Sequence, residues 1–111
     1  MMAGVRAAGD GSLRQLIYAT EMADTVLNIQ WREQDQRANL FGQVLLNQVD
    51  LIPEAFCVQL LQETKEIGIT MADEMGEFVF EAILPGSYQV VLSTDDITIR
   101  LPSLALQHPS G

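Results

Sequence analysis

The stretch TMADEMGEFVFEAILPGSYQVVL, residues 70–92, decides how the chain reads. It contains two runs of strict alternation: Phe78 and Phe80 share one face, and Tyr88, Val90 and Leu92 share another. Each run is entered through its own turn. Asp73 offers a side-chain acceptor and Gly76 a residue free to take positive φ, while Pro85 fixes φ at the second corner and Gly86 frees it at the next position. With Tyr88 opening the second run, the unit reads as the core hairpin of a β fold. Asp73, Glu74 and Glu77 read as turn formers and solvated charge.

Outward from this unit the same pattern repeats. In TVLNIQWRE, Thr25, Leu27, Ile29 and Trp31 form one apolar face. A polar turn at Asp35, Gln36 and Arg37 leads into ANLFGQVLLNQ, with Leu40, Gly42, Val44 and Leu46 on one face and Phe41, Gln43 and Leu45 opposite. A glycine inside a strand marks close backbone approach or a bulge. A corner at Asp50 to Pro53 precedes FCVQLLQ, whose inward face is Phe56, Val58 and Leu60. A polar turn at residues 63–66 and a short edge segment, residues 68–71, follow. The last strand, DITIRLPSLAL, groups Ile97, Ile99 and Leu101, and Pro102 limits how far it pairs inside a sheet. Before all of these, LRQLIYAT favours a strand.

Strands at roughly ten-residue spacing, with polar turns and no long helical period, predict an all-β fold: an antiparallel Ig-like β-sandwich of about seven to nine strands. The expected organisation is a flexible arm over residues 1–12, one sandwich domain over 13–106, and a frayed tail over 107–111. Within the domain, residues 13–37 form an N-terminal strand pair and 38–101 the core.

Composition narrows the function classes. The chain has 111 residues, 48% of them hydrophobic, and a formal net charge of -9. Such a field repels phosphate backbones and anionic membrane surfaces, so neither nucleic acid nor membrane is an expected partner. Cys57 is the only cysteine, which excludes an internal disulfide and fits a reducing compartment. It sits in a strand and reads as a structural thiol. The glycine-bearing residues 1–12 lack the apolar run of a signal peptide or anchor, so cytoplasmic residence is the expectation.

Four ordered signals then point to a family: Gly42-x-Val44, Val58-x-Leu60, Asp73-x-x-Gly76-x-Phe78-x-Phe80, and Leu84-Pro85-Gly86-x-Tyr88-x-Val90. Over roughly residues 40–101 the chain resembles the carboxypeptidase regulatory-like domain, of the transthyretin-like or prealbumin-like group. The lead-in is similar to that of small uncharacterised bacterial proteins, some of them resembling products found beside sigma-factor regulators. The resemblance implies a structural or interaction module without a catalytic site. Against the family pattern, the N-terminal strand pair is an addition that extends a sheet or swaps onto a partner.

The residues offer little to reactive chemistry. A urate-pathway hydrolase of this fold group needs converging histidines and arginines, and His108 is the sole histidine here. A Lys-to-Asn isopeptide crosslink is assisted by a buried carboxylate, but Lys65, the sole lysine, lies in a polar turn, and Val91-Leu92 stand where a Glu would be expected. Neither the acids at 73–77 nor Asp95 and Asp96 have the alternating spacing of a calcium loop. One cysteine and one histidine cannot complete a transition-metal shell. The expectation is therefore no cofactor, no metal and no catalytic residue. What remains is interaction: Leu45, Leu61, Val79 and Val91 are apolar yet fall opposite the inward faces. They form the candidate surface for a protein partner or for homo-oligomerisation through a sheet face or edge. The alternatives are an accessory protein of a bacterial sigma-factor system, acting by protein contact, and an enzyme of unknown class.

Overall fold

Alternating sequences give sheets with one apolar face, and two such sheets hide those faces by stacking on one another. The computed structural model describes residues 13–46 and 55–108, and it shows this stacking with nine strands and no helix among them. The strands are β1 (Leu13–Ala19), β2 (Ala23–Arg32), β3 (Arg37–Leu46), β4 (Cys57–Gln62), β5 (Lys65–Met71), β6 (Glu77–Ile83), β7 (Gly86–Ser93), β8 (Thr98–Arg100) and β9 (Leu104–Leu106). One sheet runs β1-β2-β3-β6 and the other β5-β4-β7-β8, with β9 pairing β7; every pairing is antiparallel. The fold is an all-β antiparallel sandwich.

The inward faces are those the alternation predicts. Leu27, Ile29 and Trp31 of β2, Leu40 and Val44 of β3, and Phe78 and Phe80 of β6 are buried on one side of the core. Phe56, Val58 and Leu60, then Tyr88, Val90 and Leu92, then Ile99 and Leu101 meet them from the other. The added N-terminal strands extend the first sheet: β1 pairs β2 along its whole length, and β2 pairs β3. A division at residue 37 would cut the β2–β3 hairpin, since Arg32 pairs Arg37 across its base. Arg37 opens β3 rather than closing the turn, and the salt bridge from Arg32 to Asp35 at 2.9 Å braces the loop. The expected corner at Asp50 to Pro53 and the arm at residues 1–12 lie outside the described residues.

Residues 70–92 are not a hairpin. β6 belongs to the first sheet, beside β3, and β7 to the second, between β4 and β8, so the chain crosses between layers at residues 84–85. The first turn has the expected chemistry: Asp73 Oδ1 accepts from the amides of Met75 and Glu77, both at 2.9 Å, and Gly76 takes φ 78. Gly76 also accepts from the Val44 amide at 2.9 Å, and a Cβ at position 76 would stand 2.3 Å from the Val44 oxygen. At the second corner Pro85 lies in a bend and Gly86 begins β7. Here the Tyr88 hydroxyl donates to the Leu84 carbonyl at 2.6 Å, which fastens the crossing from inside the core. β6 itself ends in an irregularity. Ala82 has φ 58 where the register with β3 shifts, and its amide is rescued by the Asn39 side chain at 3.0 Å.

The expected last strand is interrupted. β8 ends at Arg100, Leu101 still donates to Val90 at 3.0 Å, and after Pro102 the chain resumes as β9 farther along the same edge of β7. Pro102 has no amide to donate, which accounts for the break. Beyond β9, His108 places Nε2 3.3 Å from the Glu33 carboxylate and its ring edge-on to Trp31, with centroids 5.5 Å apart.

Burial pushes the Tyr88 hydroxyl above its ordinary range, and burial does the same to Tyr18 against the opposing pull of Arg14. A pKa raised by folding contributes stability that is whole below the unfolded value, about 10, and is lost as pH climbs through the folded value. Tyr88→Phe should cost about 0.5–1.5 kcal/mol at pH 7 by urea unfolding, and the variant should lose less stability than the parent between about pH 9 and 11.

Candidate interaction face

Once alternate side chains have filled the core, the others define the outer faces. On the first sheet the cross-strand register brings apolar outward residues from all four strands together. Ile17 of β1 pairs Val26 of β2, and Phe41 of β3 pairs Val79 of β6. Val26 pairs Gln43, two residues along β3 from Phe41, so the four form a diagonal stripe across the sheet. Ile17, Phe41, Val79 and, near the end of β3, Leu45 are exposed, by 48, 38, 41 and 44%. Isolated exposed aliphatics need no explanation, whereas a contiguous stripe does.

The stripe is bordered by acid. Glu77 and Glu81 flank Val79 on β6 and are exposed, and Asp24 pairs Leu45. A shallow groove of about 460 Å³ runs here, lined by Val26, Phe41, Val79, Asp73, Glu77 and Glu81 among others. Gln43 reaches over its end to donate to the Met75 carbonyl at 3.0 Å.

The candidate surface residues separate. Leu45 and Val79 lie on this face. Leu61 is on the other sheet and only half-buried, at the register shift between Leu60 and Leu61. Val91 is corrected: it points outward by alternation but is buried, at 3% exposure. Its strand is central, and its register partners are Gln59 on β4 and Arg100 on β8, two long side chains able to roof an aliphatic between them. Cys57 is half-buried on that outer face, paired with Met71 and Ser93.

Sequence reading missed Ile17 as a surface residue, because β1 lacks clean alternation and its face is set only by pairing with β2. Alternation alone puts Phe41 on the outer face, but its neighbourhood with Val79 follows only from the β3–β6 register. The turn residues Asp73, Gly76, Pro85, Gly86 and Tyr88 sit at the two corners described above, away from the stripe's centre. Among the described residues no group of three or more histidine, cysteine or acidic side chains is arranged to hold a metal.

The two outward valines give a direct check on the faces. Val91→Lys should destabilise by about 1–3 kcal/mol in urea unfolding, whereas Val79→Lys should change stability by no more than about 0.5 kcal/mol.

Comparison with known proteins agrees with this architecture. No curated protein and no solved structure matches the chain. A family model does, over residues 39–108, from near the start of β3 past the end of β9. It describes a β-sandwich domain, which supports the sandwich part of the family resemblance. The chain belongs to the family of the second β-sandwich domain of BOS complex subunit NOMO1-like proteins.

Proposed function

We propose that the chain is a non-enzymatic interaction module that binds a protein partner through the outer face of its β1-β2-β3-β6 sheet. The observation that carries this reading is the exposed stripe of Ile17, Phe41 and Val79 on a sheet whose other face already fills the core. Aromatic and aliphatic side chains of this kind, rimmed by charge, make the centre of protein interfaces. The acidic border formed by Asp24, Glu77 and Glu81 favours a partner with a basic rim. The family's description, a sandwich domain of a complex subunit, is in keeping with such a role, as is the role implied by the carboxypeptidase regulatory-like resemblance.

The test compares the proteins retained from cell extract by the immobilised wild-type chain, by Phe41→Ser/Val79→Lys, and by Thr98→Lys, an exposed position on β8. Retention of the same protein should fall by about tenfold or more in the stripe variant and stay unchanged in the β8 variant. Equal retention by all three, with the stripe variant folded, would contradict the reading.

A further inference from the structure

The free edges of the sandwich are not alike. A sheet edge is a row of unpaired amides and carbonyls, and proteins that stay single blunt it with charge, proline, bulges or a covering segment. Edge strand β6 carries exposed Glu77 and Glu81, and pairing with itself about Val79 would set Glu77 against Glu81. It also ends at the positive φ of Ala82. β8 is three residues long, and Pro102 follows it. β1 is tied across to the second sheet, where Arg14 Nη2 donates to the Ala105 carbonyl at 2.8 Å.

β5 differs. Its charges, Lys65 and Glu66, stand at its start, and Glu66 accepts from Gln59 Nε2 at 3.0 Å on its own sheet. Its irregularity is also there, where the register skips Ile67. From that point the strand reads Ile67-Gly68-Ile69-Thr70-Met71, uncharged, with Ile67, Ile69 and Met71 exposed by 43, 55 and 56%.

We infer that β5 pairs with β5 of a second copy, antiparallel, about a two-fold axis at Ile69. The segment is its own complement: large, small, large, small, large in either direction. About that axis Ile69 faces Ile69 of the other copy, Ile67 faces Met71, and Gly68 faces Thr70. No charge meets a like charge, and small residues fill the positions that turn toward the core. An isologous contact of this kind closes at two copies. The inference rests on reading the chain as an interaction module, and it assigns the partner at an edge separate from the stripe. Five residues per strand bury less than the interface of a tight dimer, so the dimer is weak and depends on concentration. Two chains of charge -9 repel, so salt strengthens it.

Sedimentation equilibrium of the whole chain tests this, from about 10 μM to about 1 mM, concentrations spanning the range of a weak interface. The weight-average mass should rise from 12.3 kDa toward twice that value, and rise further at high salt. Ile69→Lys should hold the mass at that of the monomer, and Thr98→Lys should not. In a Cys57→Ser background, Ile69→Cys should form a disulfide-linked dimer under mild oxidation while Thr98→Cys does not, because only residues facing each other at the axis come within bonding reach. A wild-type chain that stays monomeric throughout overturns the inference. So does a dimer indifferent to Ile69→Lys, and so does Ile69→Cys failing to crosslink in a chain that dimerises. A monomer that still retains a partner through the stripe overturns self-pairing and leaves the module reading standing.

Discussion

Two aromatic rings resting on two glycines hold this sandwich together along one side. Phe78 faces Gly42 directly across the β6–β3 pair, and a Cβ at position 42 would stand 2.1 Å from the tip of its ring. Phe80 packs edge-on to Phe78, with centroids 6.2 Å apart, and its ring lies over Gly68 of β5 in the opposite sheet. One glycine comes from each sheet and both rings from β6, so the contact joins the layers where neither has a further strand. Glycine here supplies space for an aromatic face, at the cost of the packing and backbone restriction another residue would bring. β6 can then run as an edge strand, and the chain after it can leave for the other layer, where Tyr88 secures the crossing.

The same arrangement fixes what is left for function. A chain of this size has one thin core, and the inward residues of both sheets exhaust it. The remaining large apolar side chains have only the outer faces and the edges. Among the described residues most of them gather in two places, one group forming the stripe on the first sheet and another lining β5, while Met75 and Leu84 stand at the two turns. Acids surround the stripe and are absent from the exposed half of β5. The stripe therefore suits a partner with complementary charge, and the edge suits a copy of itself.

Much of this was legible in the sequence, because side-chain alternation is a local property. Leu27, Ile29, Leu40, Phe78 and Val90 could be assigned to the core from their own strands alone. The turn at Asp73 and Gly76 was legible for the same reason, since its hydrogen bonds close within five residues. What could not be read depends on contacts between distant segments. A Pro-Gly corner looks the same whether the next strand returns beside the last or passes to another layer, so sequence alone does not separate the crossing between β6 and β7 from a hairpin. Val91 is buried although its own periodicity turns it outward, and the residues opposite it, Gln59 and Arg100, come from β4 and β8. Asn39 reads as an ordinary polar residue until its side chain is found on the Ala82 amide, 43 positions away.

A double-mutant cycle between Gly42 and Phe78 tests the central contact most directly. Gly42→Ala in the wild-type chain should cost about 1–3 kcal/mol in urea unfolding, because the new methyl drives the ring out of a filled core. In a Phe78→Leu chain the shorter side chain leaves room, so the same substitution should cost at least about 1 kcal/mol less, a coupling typical of residues in contact. An equal cost in both backgrounds would mean that the ring does not depend on the glycine, and would contradict the account.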